Sequence, residues 1–246
     1  TLFPYTTLFR SLPTWSLSGT KLAYAQIHIA SPSEQEFASN RRLIPVGRIQ
    51  QEPSETITKY SIFSVNADGS DKQLMWTGSA RPIYLYWNPN GVQLTALLQE
   101  GASPDLRLTL LSAASDPKNQ VVLDVGAPLF WDWSQNGKQL VTHIGSQSST
   151  ERLSFIDLSG QVSEEILDIP LLPFMSPDIS PDGVHLALPI QPDESGDDDT
   201  WVALFNLTTG KRRIIDRIDG QASVSLNFSP DGNQIAYIAS KASNGS

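Results

Sequence analysis

Few side chains in this 246-residue sequence are of the kinds that make or break bonds, and their spacing decides what they can do. With no cysteine there is no disulfide, no thiolate metal site and no sulfur nucleophile. No serine sits in the G-x-S-x-G turn that exposes a hydrolase nucleophile, no glycine-rich run forms a phosphate loop, and no H-E-x-x-H pair is spaced for zinc. His28, His143 and His185 follow turn glycines at unequal offsets, so nothing in the pattern brings them to one point, and each reads as a structural histidine. The densest charge lies in QPDESGDDDT (Gln191 to Thr200), where Asp193, Glu194, Asp197, Asp198 and Asp199 crowd together. Carboxylate oxygens suit calcium, but this spacing misses the D-x-[DN]-x-[DN]-G loop, and such charge blocks ordinarily form solvated loops. No catalytic residue, metal ligand or cofactor set is therefore assigned.

The elements that carry these residues repeat. WSLSGTKLAY begins at Trp15, WNPNGVQLTAL at Trp87, WSQNGKQLVTH at Trp133, ISPDGVHLAL at Ile179 and FSPDGNQIAY at Phe228. A period of roughly fifty residues marks an array of β units. Each phrase ends one strand on an apolar residue, turns through short polar residues with Gly at the position that needs positive φ, and opens a second strand. There Leu22, Leu94, Leu140, Leu186 and Ile235 alternate with polar neighbours, so each phrase is a β-hairpin. Between phrases lie two further strand-like runs joined by a polar turn: Tyr60 to Trp76, Leu106 to Val125, Arg152 to Ile169 and Trp201 to Ile218. The longer first interval is read as an insertion. Four strands per repeat in meander order predict an all-β chain of β-propeller blades, four complete and part of a fifth.

These phrases, together with IFSVNADGSDKQLMWTG (Ile62 to Gly78), resemble the WD-repeat-like blades of the TolB-type β-propeller family over nearly all of residues 12 to 240. Departures are confined to the turns: Leu17 and Ser18 replace the Pro-Asp pair, as do Gln135 and Asn136, and Asn90 stands for Asp. The resemblance implies six or more blades, so the chain is expected to be a fragment of a larger propeller. One domain is expected at 12–246, with blades starting near 12, 81, 127, 173 and 222 and an insertion at 31–57. The opening Thr1 to Ser11 resembles the in-frame translation of a sequencing-adapter oligonucleotide and is set apart from the fold as a scar.

Composition agrees with a globular β domain, with 39% hydrophobic and 17% charged residues. A formal charge of −9 argues against a phosphate-binding surface, so nucleic acid is not an expected partner. No apolar run is long enough for a membrane-spanning helix.

In a four-stranded meander the phrase turns and third-to-fourth turns share one face, while the second-to-third loops and the crossings between blades share the other. The second face collects the insertion with Arg41, Arg42 and Arg48, the acidic loop with Asp197 and Asp198, and the blade entries at Arg81 and Ala127. Tyr84, Tyr86, Phe130, Trp131 and Phe174 vary between repeats, unlike the regular Trp87, Trp133, Ile179 and Phe228 series. They complete the candidate binding face, because loops on a rigid scaffold are where binding residues concentrate. The expectation is a non-enzymatic binding or scaffolding propeller without cofactor, engaging protein, peptide or glycan. The family resemblance implies an extracytoplasmic place in a bacterium, periplasmic or at the cell surface. The alternative is the substrate-gating propeller of a serine peptidase resembling the prolyl oligopeptidases, its hydrolase domain lying elsewhere.

Overall fold

In the computed structural model, which describes residues 13–30, 57–117, 120–145, 152–165, 171–172, 175–192 and 199–241, every element is a β-strand. The first blade comprises β1 (Thr14–Trp15), β2 (Lys21–Ala30), β3 (Ile57–Asn66) and β4 (Gln73–Gly78), hydrogen-bonded in chain order. The second comprises β5 (Arg81–Trp87), β6 (Gln93–Gln99), β7 (Leu106–Ser112) and β8 (Val121–Gly126). The third comprises β9 (Leu129–Trp133), β10 (Gln139–Ile144), β11 (Arg152–Asp157) and β12 (Val162–Glu165). After β13 (Met175–Ser176), the fourth comprises β14 (Asp178–Ile179), β15 (His185–Ile190), β16 (Thr200–Asn206) and β17 (Arg212–Ile218). In the fifth, β18 (Ala222–Phe228) and β19 (Ile235–Lys241) form a three-stranded sheet with β13.

Local chemistry explains the hairpins. In the fourth-blade phrase the Gly183 N–H donates to Ser180 O at 2.8 Å, and Asp182 Oδ1 accepts from Val184 N–H at 3.0 Å. Asn90 and Asn136 occupy the place of Asp182 and accept from Val92 N–H and Lys138 N–H at 2.8 and 2.9 Å. Any short side chain with an acceptor oxygen closes this turn, which is why the substituted phrases keep the hairpin. Ile57 already pairs with Ala30, so the connection between β2 and β3 runs from 31 to 56.

Burial grades outward across a blade. The second strands β6, β10 and β15 are covered on both sides, whereas β17 is largely exposed. All four complete blades carry a register shift between third and fourth strands, at Ile62/Phe63, Leu108/Thr109, Phe155/Ile156 and Val202/Ala203. A bulge there adds twist to the outermost strand. Blade four departs from the pattern at Pro177, which lies between β13 and β14 and has no N–H for a ladder. Met175 and Ser176 instead pair in parallel with Val224 and Ser225 of β18, while Asp178 and Ile179 pair with β15.

Apolar clusters fill the seams. Trp87, Leu94 and Leu111 of blade two meet Ala23, Ile62 and Met75 of blade one. Trp133, Leu140 and Ile156 of blade three meet Leu97, Leu108 and Leu110 of blade two. Ile179, Leu186 and Leu188 meet Val141, Leu153 and Phe155, and Leu226 with Phe228 and Ile235 meets Ala187 and Val202. Each blade therefore has a leading face, bearing the phrase residue equivalent to Trp87, that packs on the trailing face of the blade before it.

Candidate functional site

Strand direction sorts the connections onto two faces. One carries the phrase turns and the turns closed by Gly69, Gly160 and Gly210, each held by a backbone hydrogen bond of 2.8 to 3.1 Å. The other carries the second-to-third connections and the crossings that enter β5, β9 and β18. On it lie the exposed Arg81, opposite Gln99 at the ends of β5 and β6, and the Glu100–Arg107 ion pair at 3.2 Å. Asp199 also belongs to this face, where its Oδ1 accepts from Gly220 N–H at 2.8 Å.

Arg41, Arg42, Arg48, Phe174, Asp197 and Asp198 lie outside the described residues. The four described aromatics are partly buried, and three of them, Tyr84, Tyr86 and Trp131, are set into one seam. Tyr84 and Tyr86 pack with Trp131 in the cluster between blades two and three. The indole N–H of Trp131 donates to Thr95 Oγ1 at 3.0 Å, and that hydroxyl donates to Tyr86 O at 2.9 Å. Phe130 stacks on His143, centroids 6.1 Å apart and planes 15° from parallel. Burial pushes the Tyr84 phenol up to about 12, so it stays a neutral hydroxyl. The crossing face thus brings Arg81 and Asp199 to one side of the molecule, while the aromatics fix the blades beneath it.

A second group of polar residues lies deeper. One residue before each phrase stand Thr14, Tyr86, Asp132, Asp178 and Asn227. The Tyr86 hydroxyl donates to Asp132 Oδ1 at 3.2 Å, and Ile179 N–H donates to Asp132 Oδ2 at 3.0 Å. Asp178 repeats the arrangement one blade on, its Oδ2 accepting from Phe228 N–H, with Asn227 also bonded to its side chain. The two carboxyl groups are themselves hydrogen-bonded. Burial raises both above the ordinary carboxylate range, and for Asp178 the neighbouring Asp132 charge adds to it, taking it to about 8. Burial and the like charge thus favour a proton shared between the two carboxyl groups. Both carboxyl groups are 8% exposed, and their partners from neighbouring blades are the Ile179 and Phe228 N–H groups together with the Tyr86 hydroxyl and the Asn227 side chain. The arrangement ties blades two to five together.

Two more buried groups reinforce seams. Asp124 pairs with Arg152 and accepts from Thr142 Oγ1 at 2.8 Å, joining blade two to blade three. His143 contacts Met175 O through Nδ1 at 3.1 Å, and burial pulls its imidazole down to about 4, which keeps it neutral. With Nδ1 as the donor, Nε2 is buried and without a hydrogen-bond partner. Among the described residues no group of three or more His, Asp or Glu is placed to hold a metal ion. Sequence reasoning passed over Asp132 and Asp178. Aligning the residue before each phrase would have shown polar groups recurring on strands that are otherwise apolar.

No family model matches the chain, and no curated protein matches it. Solved structures do. TolB from Acinetobacter baumannii superposes with a TM-score of 0.53 at 16% identity, over 91% of this chain and 47% of that one. An oligogalacturonate lyase in complex with manganese gives 0.57 at 14% identity, over 95% and 65%. The β-propeller domain of the Trilobed protease from Pyrococcus furiosus gives 0.53 at 12% identity, over 94% and 63%. The chain spans 47%, 65% and 63% of these three structures. What the likeness establishes is the fold: this chain is an all-β array of propeller blades.

Proposed function

We propose that the chain is a binding or scaffolding propeller without catalytic chemistry of its own, engaging a protein, peptide or glycan through the crossing face. The observation that carries this reading is the asymmetry of its connections. One face bears short turns closed by backbone hydrogen bonds, whereas the other is the face on which strand direction puts the longer second-to-third connections, 31–56 and 191–199. Long connections on a rigid sheet scaffold are where recognition residues accumulate. In sequence the first connection carries Arg41, Arg42 and Arg48 and the second Asp197 and Asp198, charged groups of both signs. An extracytoplasmic place in a bacterium accords with the likeness to TolB.

The test compares two variants on immobilised protein exposed to bacterial envelope extract and to peptide and glycan arrays. In one, Arg41, Arg42 and Arg48 become Glu. In the other, the exposed phrase-face residues Val92 and Lys138 become Glu. Ligands retained by the wild type are expected to be lost from the first and kept by the second. Equal retention by both variants would overturn the assignment of the face. A second reading, a propeller that gates the active site of a peptidase, draws on neighbours such as the dipeptidyl aminopeptidase IV from Bacteroides ovatus, with a TM-score of 0.57 at 9% identity. It requires a hydrolase domain joined to this chain, and the adjoining reading frame would reveal a G-x-S-x-G elbow.

A further inference from the structure

We propose that the seam between blades three and four holds a binding site, opening on the phrase face, for a neutral aromatic residue of a peptide together with its amide group. A cleft of about 350 Å³ lies there, between two complete four-stranded sheets. Its origin lies in two positions that every seam shares: the residue that follows the phrase apolar residue in the earlier blade, and the phrase apolar residue of the later blade. They are Ser16 and Trp87 in the first seam, Asn88 and Trp133 in the second, Ser134 and Ile179 in the third, and Ser180 and Phe228 in the fourth. The third seam alone combines the short serine with an aliphatic side chain. Ser134 and Ile179 both border the cleft.

The second seam shows what fills the same space. There the Asn88 amide donates to Gly137 O at 2.8 Å and to Gln93 Oε1 at 3.4 Å, and its Oδ1 accepts from Asn90 N–H at 3.0 Å. The Trp133 indole packs in one cluster with Leu110 and Leu158. By strand register the counterparts in the third seam are Gly183, Gln139 and Asn136 for the polar groups, and Phe155 and Leu207 for the apolar ones. All five line the cleft. A Cβ at Gly183 would meet nothing within 4 Å, whereas one at Gly137 would run into the Asn88 side chain. The third seam thus repeats the frame that holds a carboxamide and an indole, without either group. An aromatic residue of a peptide carries both: a ring for the Phe155–Leu207 wall, and an amide whose N–H donates toward Gly183 O and whose C=O accepts from Asn136 N–H. An apolar wall with a few placed polar groups is the usual make-up of a ligand site. Asp182, exposed at the rim of a chain with a formal charge of −9, disfavours an anionic ligand. A single anchor of this kind binds too weakly to be retained on immobilised protein, so it is separate from capture at the crossing face and is read in solution.

The test is an amide-resolved NMR titration of the full chain with three probes. N-acetyltryptophanamide has the ring and the carboxamide, N-acetyltryptophan replaces the carboxamide by a carboxylate, and N-acetylalaninamide lacks the ring. The first is expected to shift the Asn136 and Gly183 signals saturably and to leave those of Arg81 and Gln99 on the crossing face unmoved. The other two should bind weaker by about tenfold or more, the scale of one lost hydrogen bond or of the lost ring contact. Ser134→Asn and Ile179→Trp each supply from within the chain a group that the ligand would bring, and each should weaken the first probe by about tenfold or more. Circular dichroism checks that the variants are folded, and Ser134→Asn decides by itself where Ile179→Trp does not fold. Absence of a saturable shift in the wild type, or shifts centred on the crossing face, would overturn the proposal. Equal binding of the carboxylate or of the ringless probe, or undiminished binding by Ser134→Asn, would overturn it as well.

Discussion

Gly137 and Gly183 occupy the same place in successive phrases, with φ of 65° and 70°, yet their surroundings differ. A Cβ at Gly183 would meet nothing within 4 Å, whereas at Gly137 it would lie 2.1 Å from Asn88 Oδ1. The Asn88 amide donates to Gly137 O at 2.8 Å, so it cannot withdraw without losing that bond. Gly183→Val should cost on the order of 1 to 3 kcal/mol for its backbone alone. Gly137→Val should cost more, and denaturant melts of the two variants check the order. His143 gives a prediction in pH. Its imidazole is held down to about 4 in the folded state against an ordinary 6.5, so below pH 6.5 the unfolded chain binds a proton that the folded chain refuses. The contribution is complete above pH 6.5 and lost as pH falls toward 4, a change on the order of 3 kcal/mol. His143→Gln should flatten that part of the stability curve.

At the scale of the elements, the Asp132–Asp178 pair works in the opposite sense. Both carboxyl groups are raised, so the folded state binds more protons than the unfolded state once pH exceeds the ordinary carboxylate range. The stability this adds is present in acid and is lost as pH rises through about 8. Asp178→Asn removes the like charge and keeps an oxygen for Phe228 N–H. It should raise the melting temperature relative to wild type, and by clearly more at pH 8 than at pH 5. Asp178→Ala removes the acceptor and leaves the part-buried Phe228 N–H unpaired, at a cost of about 1 kcal/mol at either pH. Equal behaviour of the two substitutions would show that the carboxyl group does not tie blade four to blade five.

For the whole molecule these opposed groups predict the shape of the pH profile. Between about 4 and 6.5 the His143 gain and the carboxyl-pair loss offset each other, and above 6.5 only the loss remains. Stability should therefore decline from near pH 6.5 to pH 8, and scanning calorimetry across that range checks it. In stronger acid the turn carboxylates take over. Asp157, Asp182 and Asp231 are lowered chiefly by hydrogen bonds from Ser159, Ser180 and Ser229, so what they contribute is present above the ordinary carboxylate range and lost as pH falls below it. The double variant His143→Gln with Asp178→Asn should show a flatter profile between pH 5 and 8 than either single change.

The repeat, the hairpins and the all-β fold were legible in the residues because they rest on local chemistry. Turn oxygens at Asn90, Asn136 and Asp182, glycines at positive φ and alternation after Leu94 or Leu140 act within a few residues of one another. Strand order in a meander then sorts the connections onto two faces without further information. The interruption at Pro177 was visible in the residues, but the parallel pairing of Met175 with Val224 was not, since it joins strands of different blades. The seam groups share that character. Tyr86 and Asp132 are 46 residues apart, Asp178 and Phe228 are 50 apart, and their meeting depends on how far one blade rotates against the next. Periodicity gave Trp15 and Trp87 the same role, and only the packed array left one exposed and buried the other. Sequence alone determined the unit and its local turns, because those are held by neighbours along the chain. Tertiary structure decided which polar groups meet across a seam and which apolar residues the seams bury, because burial is a property of the assembled blades.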